Sequence, residues 1–221
     1  MGGDHKSFYR DISTLMERLG RDMSDEGMRN LKSLSRRLKS LNKKGLAKIN
    51  HSVMELICAK YLIERGYEVK VEKKLDPLLV CDIYGRKGDG VLIVEVETGF
   101  TPPEHALDPY TYNRARIVSK IARYSKFSDK FALATPMYNL LQIPESLIKP
   151  PKSRSMEEVR ELKGLCDLYY RHPPISLEEL FNARLHAIYI IDVDGLRVVG
   201  LDPERYVEEV RKLDYLKMLG R

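Results

Sequence analysis

Residues 91–98, VLIVEVET, concentrate acid at one end of one strand face. In an extended chain Val91, Ile93, Glu95 and Glu97 project to one side, and Leu92, Val94 and Val96 to the other. A half-exposed strand is polar along its whole outer face. Here that face starts apolar and ends in two carboxylates, the pattern of a strand that leaves a core and opens into a site. The preceding segment repeats it: Leu78, Val80 and Asp82 share a face, with the acid last. If the two segments pair across the glycine-rich connection at 85–90, Asp82 lies opposite Glu95 or one diagonal step away, about 5–8 Å between Cβ atoms. Carboxylates that close raise one another's pKa unless a cation lies between them, and oxygen-only ligands select Mg²⁺ or Mn²⁺. Glu55, in SVME at 52–55, either closes a capping box or joins these acids from the helix that runs into the strands. The competing account of Glu95 and Glu97 is ordinary pairing with lysines across an exposed face.

The elements that must position these acids follow from periodicity. Phe8, Ile12, Leu15, Met16 and Leu19 predict a first helix that stops at Gly20. Ser24 caps a second helix, whose Leu31, Leu34, Leu38 and Leu41 form an apolar seam ending near Gly45. A third helix spans 48–65 and is closed by Gly66. Segments 67–75, 78–84 and 91–98 read as a three-stranded antiparallel meander. A helix at 109–128 carries Arg116, Lys120 and Tyr124 as one stripe able to face the meander's acidic end, and a strand at 131–135 follows. Residues 137–184, with Pro144, Pro150, Pro151, Pro173 and Pro174, form a helical excursion. The chain closes with strands at 187–193 and 196–201 around Asp194-Gly195, then a helix at 203–219. This order predicts an α/β fold, a mixed central sheet flanked by helices.

At 221 residues the chain suits one core rather than two enzyme domains. The expected division is a basic helical segment at 1–44 and a core at 45–221. The net charge is +6, and all of the excess lies in residues 1–50, which hold 12 Lys/Arg and 6 Asp/Glu. Lys32, Arg36, Arg37, Lys39, Lys43 and Lys44 fall in a stretch without acid that suits a polyanion such as nucleic acid; a solvated charged face is the plainer alternative. The seam lacks the bulky aromatics of a membrane-surface helix, and no run approaches about 18 uncharged apolar residues. Asp4, His5 and Lys6 stand where a signal peptide would be apolar, so the expectation is a cytoplasmic chain with no membrane partner. Cys58, Cys81 and Cys166 are odd in number and widely spaced, which excludes a disulfide framework and a Cys-x-x-Cys metal pair. Residues 85–90 lack the Gly-Lys-Ser/Thr of a phosphate loop and read as a hairpin turn. The histidines show no metal-ligand spacing.

Taken in order, Glu55 on a helix, YEVKV at 67–71, Asp82, EVE at 95–97, then a helix with Lys120 and Tyr124 and a strand resemble the catalytic core of the PD-(D/E)xK nuclease superfamily. This is the restriction-endonuclease-like fold, which includes archaeal Holliday-junction resolvases. The resemblance covers residues 48–136. It implies Mg²⁺ or Mn²⁺ held by Glu55, Asp82 and Glu95, and metal-dependent endonuclease action on DNA in repair or recombination. The chain departs from the motif twice. Cys81 stands at the motif's Pro, and Glu97 at its Lys. That Lys would stabilise transition-state charge, which a carboxylate cannot do. Glu97 then acts as a base or second metal ligand, as in some restriction enzymes of the superfamily, or Lys120 substitutes from the helix. The catalytic candidates are therefore Asp82, Glu95, Glu97 and Lys120. A catalytically inactive nucleic-acid-binding module and a structural or assembly protein remain open alternatives. DNA is the expected partner, with a homodimer left open.

Overall fold

The computed structural model describes the backbone of residues 2–219 and the side chains of residues 5–213. Three helices come first: α1 (Gly2–Leu19), α2 (Asp25–Lys43) and α3 (Ile49–Ile63). Ser24 caps α2 by accepting the Gly27 N–H at 3.1 Å, and Asp25 and Glu26 complement the positive end of the helix dipole. Gly45 and Gly66, with φ of 72° and 80°, end α2 and α3 in the left-handed region that glycine adopts without strain. Gly20 instead opens a short 3-10 turn at Gly20–Asp22.

The sheet follows with β1 (Glu68–Lys74), β2 (Val80–Lys87) and β3 (Gly90–Val96), then α4 (Pro109–Ser125) and β4 (Lys130–Pro136). Three short helices, α5 (Glu145–Ile148), α6 (Met156–Asp167) and α7 (Leu177–Asn182), lead to β5 (Ala187–Asp192), β6 (Arg197–Leu201) and α8 (Pro203–Leu219). The six strands lie in sequence order. β1, β2 and β3 form the antiparallel meander, β3–β4 and β4–β5 are parallel, and β5–β6 is antiparallel. The chain is thus an α/β protein with a mixed six-stranded sheet flanked by helices.

Each face of the sheet has its own core. Leu92, Val94, Val96, Ala132 and Ala134 pack with Met54, Leu56, Ile57 and Leu62 of α3. Ile93, Phe131, Leu133 and Ile188 pack with Ile117, Val118 and Ile121 of α4 and with α6 and α7. β3 and β4 are apolar on both faces because both are covered. Phe8, Ile12, Leu19, Leu31, Leu34 and Leu38 belong to the α3 cluster, so α1 and α2 supply the outer part of that helical layer. α3 is consequently covered by helices on one side and by the sheet on the other.

Three expectations change. β2 continues through Lys87, so the turn is shorter than residues 85–90 and centres on Gly88 and Asp89. Leu78 lies outside β2 and is exposed, and Val80 is exposed too, so the apolar start of that face does not exist. α3 begins at Ile49 after Lys48, so Ser52 is inside the helix and Glu55 closes no capping box. The excursion is ordered by Arg154, which is 6% exposed. Its guanidinium donates to the carbonyls of Ser146, Leu147, Lys149, Leu180 and Phe181 at 2.6–3.3 Å, gathering chain around α5 and α7. Burial lowers its pKa to about 10, which leaves it charged at neutral pH.

Lysine presents one ammonium where arginine presents a planar fork. Arg154→Lys is expected to reduce unfolding free energy by about 2–4 kcal/mol in urea titrations, because buried carbonyls lose their donors. A change below about 0.5 kcal/mol would mean that water replaces the guanidinium.

Candidate active site

The register places three acids in one row across three strands. Ile83 pairs with Val94, so the next position sets Asp82 opposite Glu95. Val71 pairs with Ile83 and Lys73 with Cys81, so Glu72 lies opposite Asp82. The regular ladder lapses at this row, and carboxylates take over its donors. The Asp82 N–H donates to Glu95 Oε1 at 3.0 Å, and the Val96 N–H to Asp82 Oδ2 at 2.6 Å. Asp82 and Glu95 each thereby accept one backbone N–H. Glu97, one step beyond β3, donates its N–H to Ala134 O at 2.7 Å, which holds its buried side chain on the same face as Glu95.

The α4 stripe meets this row. Lys120 Nζ lies 2.8 Å from Glu97 Oε1, 3.2 Å from Glu95 Oε2 and 3.7 Å from Asp82 Oδ2. Arg116 reaches Glu97 Oε2 at 2.9 Å and donates to Phe100 O at 2.6 Å, and Tyr124 donates its hydroxyl to Val80 O at 3.1 Å. Burial opposes the charge on Lys120, but Glu97, Asp82 and Glu95 outweigh it and raise its pKa well above the usual lysine value. Burial likewise opposes the Asp82 charge, yet Lys120 and the His51 hydrogen bond bring that carboxyl down to about 2. Glu95 goes the other way, because burial and the neighbouring Asp82 prevail over Lys120.

A second group faces the row from α3. Glu55 is 0% exposed, and neither carboxylate oxygen has a hydrogen-bond partner. Burial first, then Asp82, Glu72 and Glu95, raise its pKa well above the ordinary carboxylate range. His51 Nε2 lies 3.2 Å from Asp82 Oδ1; burial disfavours the imidazolium, and Asp82 more than restores it, so its pKa rises. Val71 points into the α3 layer, so strand alternation would send Glu72 to the opposite face. Glu72 instead has φ 49° and meets His51 and Glu55. Arg37 holds that conformation by donating to Val71 O at 2.7 Å and to Glu72 O at 2.5 Å.

The structure therefore brings Asp82, Glu95, Glu97 and Lys120 together and groups Glu55 with His51 and Glu72. Among the basic candidates, Lys32, Arg36, Arg37, Lys43 and Lys44 are exposed. Lys39 is half-buried and donates to Ser13 Oγ at 3.0 Å, and Arg37 is committed to the β1 backbone. Sequence reasoning missed His51, which sits four residues before Glu55 on one helical face, and Glu72, which strand register alone sets opposite Asp82. A groove of about 700 Å³ opens beside this second group, lined by Lys48, Asn50, His51, Glu72, Thr98 and Phe100. No family model, curated protein or solved structure matches the chain.

An unpartnered buried carboxyl costs stability unless something binds it. Glu55→Met is therefore expected to stabilise the chelator-treated protein by about 1–3 kcal/mol in urea unfolding. Destabilisation of similar size would show that Glu55 is satisfied in solution.

Proposed function

We propose that the chain is a metal-dependent DNA endonuclease with a PD-(D/E)xK-like catalytic core, as its sequence resemblance implies. The observation that carries the reading is Lys120: its ammonium lies within 3.7 Å of Asp82, Glu95 and Glu97, where the motif's missing lysine would act. The acids at the strand ends and a cation beside them are the parts that phosphodiester hydrolysis requires, even though the cation comes from α4.

The orphaned oxygens of Glu55 support a dication in this reading, because a buried carboxylate without donors is matched by a hard cation. Glu55, Asp82 and Glu95 would hold Mg²⁺ or Mn²⁺, which supplies Lewis-acid polarisation and a more acidic bound water. The chain's own residues do the rest. Lys120 stabilises the charge that builds on the non-bridging phosphate oxygens as water adds to phosphorus and the leaving oxygen departs. Glu97, anchored by Lys120 and Arg116, aims both cations at that charge. Lys32, Arg36, Lys43 and Lys44 contact backbone phosphates away from the reacting bond.

Lys120→Ala is expected to slow cleavage of branched or linear DNA by roughly 10²-fold or more in a Mn²⁺ time course, the scale of losing a positioned electrostatic group. Glu97→Lys removes the carboxylate that anchors Lys120 and Arg116 and sets a third cation against them, so it should also lose cleavage. Wild type that cuts no DNA with any divalent metal would leave the binding-module reading in place.

The basic candidates have a separate test. α1 and α2 carry core leucines, so their charge is removed by substitution rather than by truncation. Replacing Lys32, Arg36, Lys43 and Lys44 with Ala should weaken DNA binding and flatten its dependence on log salt, by about 0.9 for each phosphate no longer neutralised. An unchanged slope would show that DNA does not lie along α2.

A further inference from the structure

The two groups of acids differ in what neutralises them. Lys120 and Arg116 form ion pairs with Asp82, Glu95 and Glu97, whereas no Lys or Arg forms a salt bridge with Glu55 or Glu72 among the described residues. One ligating atom each from His51, Glu55 and Glu72 lies within 4.8 Å of the others. That spacing suits three donors around one ion and is awkward for two carboxylates that no cationic side chain neutralises.

One observation points to a ligand at this spot, and three more are in keeping with it. Glu55 is fully buried and aimed into the group with both oxygens unpartnered. Glu72 reaches the group only through a left-handed backbone conformation that is strained for a residue with a Cβ, and Arg37 locks it there by two hydrogen bonds. Asp82 fixes the His51 ring, as carboxylates orient metal-bound imidazoles. The groove lined by His51 and Glu72 gives an ion a path from solvent.

We propose that His51, Glu55 and Glu72 form a binding site for a transition-metal dication of the Mn²⁺/Zn²⁺ class. The imidazole decides the class. Mg²⁺ is served by oxygen donors and dehydrates reluctantly, whereas nitrogen ligands favour the later divalent metals. The site shares Glu55 with the nuclease reading but stands whether or not DNA is cleaved.

The experiment is calorimetric titration of the full-length, chelator-treated chain with Mn²⁺, Zn²⁺ and Mg²⁺, joined to ¹⁵N-histidine NMR during the Zn²⁺ titration. One equivalent of Mn²⁺ or Zn²⁺ is expected to bind at least 10-fold more tightly than Mg²⁺, with a shift of the His51 ring nitrogens. His51→Ala and Glu72→Gln should each weaken binding 10-fold or more. Glu72→Gln keeps the side-chain size and leaves the His51–Asp82 pair intact, so the result does not rest on one variant's folding. The proposal is overturned if no ion binds, or if binding depends on Asp82 and Glu95 but is indifferent to His51→Ala and Glu72→Gln. This second outcome, with DNA cleavage present, removes this site and keeps the nuclease reading. Metal bound as expected with DNA uncut does the reverse.

Discussion

Asp82, Glu95 and Glu97 stand together at one end of the sheet, and the ammonium of Lys120 is what offsets their repulsion. Two unit charges about 4 Å apart in a protein environment interact by about 4 kcal/mol, comparable to a large share of a domain's net stability. The cation must therefore be delivered reliably. Ile117, Val118 and Ile121 do this by packing α4 against Phe131 and Leu133, so the apolar core sets the position of the charge. Desolvating so many ionic groups tends to cancel what their attraction returns. The network is better understood as a constraint that the fold accommodates than as a source of its stability.

The site is electrically lopsided as a result. On the α4 side each acid has a cation, and backbone N–H groups bind Asp82 and Glu95. On the α3 side Glu55 has neither. The difference arises from layering: α4 presents Arg116 and Lys120 at i, i+4, while α3, enclosed by α1, α2 and the sheet, presents apolar residues with His51 and Glu55 among them. Buried polar groups are satisfied almost everywhere in folded proteins, so an exception carries information about binding.

Arg37 connects the basic helix to this chemistry by an unexpected route. Its guanidinium binds the carbonyls of Val71 and Glu72 and so shapes the strand that carries an acid. One exposed residue of the basic stretch thus braces a strand backbone, while Lys32, Arg36, Lys43 and Lys44 are left facing solvent. Charge density in a sequence does not separate these roles, because both need the same guanidinium. Among the described residues, no helix is long and apolar enough to cross a membrane.

Local chemistry made much of the molecule legible. Helical spacing in α1–α4, the Ser24 cap, the glycines after α2 and α3, and period-two alternation in β3 are properties of neighbouring residues, so the sequence determined them by itself. The same alternation gathered Glu95 and Glu97 on one face, and the i, i+4 stripe aimed Lys120 at them. What the sequence left open depends on contacts distant along the chain. Exposure of Leu78 and Val80, the five carbonyls gathered by Arg154, and the left-handed turn of Glu72 under Arg37 arise only once separate elements are packed. Whether Glu55 finds a partner is likewise decided by burial on all sides of α3. Periodicity tells a side chain which way to face; only the tertiary structure determines what it meets there, because electrostatics and desolvation depend on distance in space and not on separation in sequence.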